Sequence, residues 1–164
     1  VCSSDLIIDI NKKPSKQLKS ISGKITANTS FKVDKITKSS PTLDEIKNLI
    51  NAWLQSKSNY LAGKSEINLS KIVTNGLIDR TIEERKNDIK KGTYKEIYSQ
   101  IMKIDLESQT SSRIVVLVEL NYLERIVKSS GELVNETILN PLKVKYILGF
   151  SNKSWKLVDF ISGF

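Results

Sequence analysis

RIVVLVELNYLERIV, residues 113–127, is the clearest β-strand in the chain, because its apolar side chains recur with a period of two. Five of them point to the same side of such a strand: Ile114, Val116, Val118, Leu120 and Tyr122. A similar alternation precedes this stretch in residues 94–106 and follows it in residues 133–150 and 155–164, with short turn sequences between them. The sequence therefore predicts four consecutive antiparallel strands. In the first of them, four residues are expected to share a face: Tyr98, Met102, Ile104 and Leu106.

Two helical segments precede the strands. Residues 43–63 place apolar side chains at three- and four-residue spacing, which predicts one buried stripe. Thr42 and Glu45 stand at the positions of a capping box, in which each side chain accepts a hydrogen bond from the other residue's backbone N–H. Residues 69–91 form the second predicted helical region, closed by Gly92, and its charged last turns are expected to face solvent.

The order of these elements decides the fold class. Helices followed by consecutive strands predict an α+β domain, in which the N-terminal helices pack on one face of an antiparallel sheet of about four strands. A cystatin-like cone, of the kind seen in nuclear transport factor two, fits this order. We expect a single domain of this kind over residues 41–164.

The first six residues, VCSSDL, contain the only cysteine of the chain. A lipid anchor would need an apolar signal stretch before Cys2, and a zinc or redox site would need a histidine or a second cysteine, so the sequence supports neither role. The codons GTG TGC TCT TCC GAT CT, which end a common sequencing adapter, translate into this string. We therefore expect residues 1–6 to be an adapter artefact and the native reading frame to continue upstream.

The positive charge of the chain is concentrated near its N-terminus. Residues 1–40 contain eight Lys against three Asp, whereas the rest of the chain is closer to balance, with 18 basic and 15 acidic residues. Residues 7–40 are rich in Lys, Ser and Thr and lack apolar periodicity, so we predict a flexible linker there. Because the excess charge lies in this linker, the formal net charge of +8 does not indicate a nucleic-acid partner.

The predicted sheet has more apolar residues than one layer of helices can cover. On the second face of the strand at residues 113–127, Glu119 and Arg125 are accompanied by three apolar residues: Val115, Leu117 and Leu123. Two interpretations remain open. The surplus could belong to core covered by loops, or it could form an exposed patch that receives a partner or a second copy of the domain.

The residue types of catalytic sites are scarce in this sequence. Without His, and without a cysteine outside residues 1–6, no ordinary Ser-His, Cys-His or thiol nucleophile is available. Phosphate-binding glycine loops and clusters of acids at metal-ligand spacing are also missing, so we predict no catalytic residues, no metal and no cofactor. An enzyme on this fold would need a deep pocket around Glu119. A cross-strand ion pair with Lys or Arg is the commoner role for a strand glutamate.

Several stretches together resemble the C-terminal domain of cyanobacterial ZipN-type division proteins and of their plastid-division descendants, in which it is the intermembrane-space domain. The stretches are IKNLINAWLQSKSNYLAG, LSKIVTNGLIDR, VELNYLERIV and VKYILGFSNKSWKLVDF. The matching residues are Leu49, Ile50, Trp53, Leu54, Lys57, Val118, Glu119, Tyr122, Leu123, Tyr146, Leu148, Trp155 and Lys156. The resemblance covers most of residues 41–164.

The resemblance implies a non-enzymatic adaptor of the FtsZ division ring. Its parent protein would be anchored in the membrane, and this domain would lie on the periplasmic side of the inner membrane, where it would bind a protein partner rather than nucleic acid. The apolar surplus would then receive a partner segment, with five lining residues: Tyr98, Leu117, Glu119, Leu123 and Ile147. An alternative remains, because similar domains are attached to cyanobacterial serine/threonine kinases, where they would sense a ligand.

Overall fold

A computed structural model describes residues 34–163 of the chain. Two helices are followed by four strands: α1 (Leu43–Leu61), α2 (Asn75–Lys90), β1 (Thr93–Gln109), β2 (Arg113–Lys128), β3 (Leu133–Ser151) and β4 (Ser154–Ser162). The strands form one antiparallel sheet in the order β1-β2-β3-β4, which confirms the predicted α+β class and the four-stranded meander. Within the described part of the chain, neither helix combines the length and apolarity needed to cross a membrane.

Helix α1 begins with the predicted capping box. The Glu45 backbone N–H donates to Thr42 Oγ1 at 3.2 Å, and the Thr42 N–H donates to Glu45 Oε2 at 2.8 Å. These two bonds satisfy donors that a helix start otherwise leaves without a partner. From this start the helix presents a buried stripe to the sheet: Ile46, Leu49, Ile50, Ala52, Trp53 and Leu61.

Helix α2 is shorter than the predicted helical region of residues 69–91, because it begins only at Asn75. Two of the apolar residues before it, Ile72 and Val73, pair with the edge of the sheet instead. Val73 forms a parallel bridge to Leu157, the Leu157 N–H donates to the Ile72 carbonyl at 2.8 Å, and the Thr74 N–H donates to the Leu157 carbonyl at 3.0 Å. Strand β4 is an edge strand, and this segment satisfies some of its outer backbone groups.

The segment that leads into α1 is part of the folded domain. Ile36 is buried and forms an antiparallel bridge with Trp155, whose backbone N–H donates to the Ile36 carbonyl at 2.9 Å. The Trp155 indole Nε1–H also donates to the Lys38 carbonyl, at 2.9 Å. Packed structure therefore reaches into the last residues of the predicted 7–40 linker. The rest of that linker, and the predicted artefact at residues 1–6, lie outside the described residues.

The main core lies between the helices and one face of the sheet, which we call the helix-covered face. Strands β2 and β3 contribute alternate residues to it, and they pack against α1 and against Trp155 of β4. The central members are Trp53, Ile114, Val116, Val118, Leu120, Val144, Tyr146, Leu148, Trp155 and Leu157. We call the opposite side of the sheet the open face, because neither described helix packs on it.

A β-bulge in β1 changes the predicted face of its residues. The register pairs Ile101 with Leu120 but Lys103 with Glu119, so Met102 is an extra residue. Ile104 and Leu106 beyond the bulge therefore lie on the helix-covered face. Tyr98, which pairs with Leu123, lies on the open face. The prediction that Tyr98, Met102, Ile104 and Leu106 share a face is wrong for this reason.

Candidate functional site

The open face brings together all five residues predicted to line a binding site. Tyr98 of β1 lies opposite Leu123 of β2, and Ile147 of β3 lies opposite Val115. Leu117 and Glu119 are separated from Val115 and Leu123 by even numbers of residues along β2, so they point to the same side of the sheet. The sheet register thus assembles one surface from three strands.

The five residues differ in how much of each could meet a partner. Leu123 is only 2% exposed, so it is a floor residue rather than a contact residue. Tyr98, Leu117, Glu119 and Ile147 are half-buried. Val115 and Val127 on the same face of β2 are also buried, although neither helix covers them. The apolar residues of the open face therefore form two groups, Leu117 with Val115 and Ile147, and Tyr98 with Leu123. Glu119 lies between these groups on β2.

Glu119 lies between two cations. It pairs in register with Lys103 on one side and with Lys143 on the other. The pKa of Lys103 is raised, first by its hydrogen bond to Asp105 at 3.0 Å and then by the charges of Asp105 and Glu119. The surroundings of Glu119 match the cross-strand pairing expected for a strand glutamate. The enzymatic alternative required a pocket around Glu119, and Glu119 does not line the cavity described next.

A cavity of about 120 Å³ lies on the helix-covered face, between the C-terminal half of α1 and strands β1 to β4. It is open to solvent on one side, and its walls are mostly aromatic and aliphatic. The lining residues are Trp53, Leu54, Lys57, Ser58, Ile97, Leu120, Tyr122, Leu142, Val144, Tyr146, Phe160 and Ser162. No local pattern predicts this cavity, because its walls come from α1 and from all four strands, which are distant in the chain.

Lys57 is the cation of this cavity. Its Nζ lies 4.9 Å from the ring centre of Phe160 and 5.9 Å from that of Trp53, both within the range of cation–π attraction. The nearest carboxylate oxygen with which it forms an ion pair is Glu84 Oε2, at 3.9 Å. Burial lowers the pKa of the Lys57 amine, and the Glu84 charge opposes this effect only in part. The amine is thus held in an aromatic setting with one distant counter-charge.

Glu84 also forms an ion pair with a second amine, that of Lys95. Lys95 Nζ lies 2.7 Å from Glu84 Oε1 and 3.5 Å from Asp88 Oδ2. Burial acts to lower the pKa of Lys95, but the Glu84 hydrogen bond and the two carboxylate charges outweigh it and raise the pKa. Asp88 itself is buried on the face of α2 that meets the sheet, although the last turns of this helix were expected to face solvent. Its Oδ2 has no hydrogen-bond partner among the described residues.

Two tyrosines and two serines complete the polar groups of the cavity, since Ser58 and Ser162 also line it. The Tyr122 hydroxyl donates to Glu124 Oε2 at 2.6 Å, and burial, helped by this hydrogen bond, raises the pKa of Tyr122. Burial alone raises the pKa of Tyr146. Both groups are therefore neutral phenols at ordinary pH. Within residues 34–163 no group of three or more Cys, Asp or Glu side chains could hold a metal ion.

Sequence reasoning missed every cavity residue as a site residue. Lys57, Tyr122 and Tyr146 did appear in the pattern that resembles the division-protein domain, so a signal existed. The resemblance alone gives these three residues no role in a site. Trp53 belongs to the core, since it is almost fully buried even though it also borders the cavity.

Comparison with known proteins gives a family and a fold. The family model described as ARC6-like, IMS domain matches residues 46–158. Among solved structures, the crystal structure of the intermembrane space region of the chloroplast protein ARC6 is similar, with a TM-score of 0.59 and 13% sequence identity. The match covers 75% of this chain and 97% of that chain. None of the curated proteins matches the chain significantly.

Proposed function

The chain belongs to the ARC6-like, IMS domain family, and from this premise we propose that it is a non-catalytic protein-interaction domain of a membrane-anchored cell-division adaptor. In this proposal the domain lies on the periplasmic side of the inner membrane and binds a segment of a partner in the division machinery. The similar crystal structure is that of the intermembrane space region of a chloroplast protein, and this similarity supports an extracytoplasmic location.

The observation that carries the proposal is the composition of the open face. Leu117, Ile147 and Tyr98 are half-buried apolar residues on three adjacent strands, and neither described helix covers them. Leu117 and Ile147 lie together beside Val115, whereas Tyr98 lies beside Leu123 on the other side of Glu119. Apolar side chains that remain partly exposed on one side of a sheet are typical of a protein-binding site. We therefore propose these residues as contacts, with Glu119 between the two apolar groups and Leu123 as the floor beneath Tyr98.

The ligand-sensing function of a kinase-attached domain is a second candidate, and the cavity around Lys57 is the observation that favours it. A small anionic molecule could place its charge at the Lys57 amine and its apolar part against Trp53 and Phe160. The volume of about 120 Å³ is, however, well below the roughly 300–1,000 Å³ of ordinary ligand pockets. The interaction function is for this reason the one we put forward.

Affinity capture with matched variants tests the proposal. The full chain and its Leu117→Lys and Leu106→Lys variants are immobilised, and detergent extracts of the source cells are passed over them. Leu106 is a suitable control because it is an exposed leucine of the neighbouring strand that lies on the other face. We expect the wild type and Leu106→Lys to retain a division protein and Leu117→Lys to lose it. The melting temperatures of both variants should stay close to that of the wild type.

Two outcomes would contradict the assignment. A large fall in the melting temperature of Leu117→Lys would show that Leu117 belongs to the core rather than to a contact surface. Retention of the partner by Leu117→Lys, together with its loss in Lys57→Glu, would move the binding site to the cavity on the opposite side of the sheet.

A further inference from the structure

One end of the molecule concentrates lysines around exposed aliphatic side chains. We call it the basic tip and define it as residues 86–92, which end α2, and residues 128–134, which form the β2–β3 turn. The two segments are joined because the Ser129 backbone N–H donates to the Gly92 carbonyl at 2.9 Å and the Ser129 hydroxyl donates to the same carbonyl at 3.0 Å. Thr93 pairs with Lys128 in the sheet, which fixes the tip at the end of β1 and β2.

The charge of the basic tip is positive and mostly uncompensated. Its four lysines are Lys86, Lys90, Lys91 and Lys128. Its two acids are both engaged, since Asp88 is buried beside Lys95 and Glu132 pairs with Lys128 at 3.0 Å. None of the other three lysines forms an ion pair with a residue in the range 34–163, and all three are exposed. The tip therefore offers free cations to an external anion.

The aliphatic residues of the tip are unusually exposed for their type. Ile89 is 60% exposed, Leu133 51% and Val134 52%. Ile89 stands directly between Lys86 and the Lys90–Lys91 pair in sequence, on the exposed side of α2. Lys90 and Lys91 follow Ile89 directly, and Lys128 lies across the β2–β3 turn from Leu133 and Val134. Lysines beside exposed aliphatic side chains match the two parts of an anionic bilayer surface, which are the negative headgroups and the boundary of the acyl chains.

We propose that the basic tip docks onto an anionic lipid bilayer. The lysines contact the headgroups, and Ile89, Leu133 and Val134 enter the boundary between headgroups and acyl chains. A nucleic acid would also attract the lysines, but it would not use the aliphatic residues, and the tip has no aromatic side chain on which a base could stack. The bilayer is for this reason the favoured occupant.

The position of the tip in the molecule gives this docking a direction. Ile36, where the described chain enters the sheet, bridges Trp155 in the β3–β4 hairpin, and that hairpin lies at the end where β2 begins. The tip lies where β2 ends, so the 16 residues of β2 separate the two points by roughly 50 Å. If the parent protein is anchored upstream as proposed above, the tip is the end of the domain farther from the point at which the chain enters from that anchor.

Vesicle flotation tests the docking without reference to any protein partner. The full chain is mixed with neutral phosphatidylcholine vesicles or with vesicles containing phosphatidylglycerol. The tip variant is Lys86→Glu/Lys90→Glu/Lys91→Glu. The matched control reverses three exposed lysines near the other end of the domain: Lys35→Glu, Lys71→Glu and Lys153→Glu. Both triple variants have the same net charge, so they differ only in where charge was reversed.

We expect the partition of the wild type into anionic vesicles to exceed that of the tip variant by at least about tenfold, given three lysines at the surface. The control triple variant should lose much less, and Ile89→Ser/Leu133→Ser should also bind more weakly than wild type. Equal losses in the two triple variants, or wild-type binding by the tip variant, would overturn the proposal. So would full binding by Ile89→Ser/Leu133→Ser, since the tip would then be a general anion surface of the kind that attracts nucleic acid.

Discussion

The pKa of Lys57 depends on the environment of the cavity. Its amine lies against the rings of Phe160 and Trp53, and Glu84 is its one ion-pair partner among the residues that the structure describes. Burial lowers the pKa of Lys57 below its ordinary 10.5. Protonated Lys57 therefore costs folding free energy at pH values below its folded pKa, and the cost disappears above the pKa of the unfolded chain.

Because the pKa of Lys57 is lowered, the stability of the wild type should depend on pH differently from that of Lys57→Met. As the pH rises from neutral toward 10.5, the melting temperature of the wild type should rise relative to that of Lys57→Met, by roughly one to a few degrees. Thermal unfolding followed by circular dichroism over this pH range makes the measurement. The exposed Lys71 supplies the control, because Lys71→Met should leave the difference flat. A wild type that loses stability relative to Lys57→Met on alkalinisation would contradict the assigned environment.

The charged form of Asp159 stabilises the fold, whereas the charged form of Lys57 destabilises it. The hydrogen bond from Arg80 Nη2, at 2.6 Å, lowers the pKa of this carboxyl below its ordinary 3.8. A depressed carboxyl pKa adds stability above the unfolded value and loses it as the pH falls through the folded value. Because the pair is well exposed, Asp159→Asn should cost less than about 1 kcal/mol at neutral pH.

The cost of Asp159→Asn should shrink when the pH is lowered below the ordinary aspartate range. Urea unfolding of both proteins at neutral pH and at acid pH would show this as converging midpoints. A gap between the midpoints that is unchanged or wider in acid would mean that the Arg80–Asp159 pair does not stabilise the fold.

At the scale of elements, the start of α1 depends on one reciprocal contact. Thr42 and Glu45 satisfy each other's backbone N–H groups. Replacing Thr42 with Ala removes one of the two acceptors, so we expect a loss of about 1 kcal/mol in the free energy of unfolding. Ser40, an exposed residue just before the helix, provides the control as Ser40→Ala. Equal unfolding midpoints for Thr42→Ala and Ser40→Ala would contradict the role of the box.

The elements also show what sequence patterns can predict. The period of two in residues 113–127 correctly assigned Leu117, Glu119 and Leu123 to the face opposite the core, because β2 itself runs without an extra residue between them. The same reasoning failed in β1, where the extra residue Met102 reverses the faces beyond it. A bulge leaves no mark in an alternating pattern until the partner strand is known.

Tertiary placement was the part that no local pattern could supply. The apolar residues at 69–73 were read as helix because their spacing suits one, yet two of them pair with Leu157 at the edge of the sheet. The cavity around Lys57 was missed for a related reason. Its walls combine α1 with β3 and β4, and nothing in the sequence of α1 shows what lies opposite it.

At the scale of the whole molecule, the folded domain extends upstream of the predicted boundary at residue 41. Ile36 is buried, and residues 36 and 38 accept hydrogen bonds from Trp155. A chain that begins at Pro41 should therefore be less stable than one that begins at Asp34, by about 2 kcal/mol or more. Differential scanning calorimetry of the two chains gives the comparison. Identical melting temperatures would show that the domain does begin at residue 41, as the sequence predicted.

The central claim is that the open face of the sheet binds a protein of the division machinery. Site-specific photo-crosslinking in the cells that make the protein tests it most directly, with p-benzoylphenylalanine at Ile147 on the open face and, as control, at Leu106 on the other face. We predict that Ile147 yields a crosslink to one division protein and that Leu106 does not. Crosslinks to the same protein from Leu106 but none from Ile147 would contradict the claim.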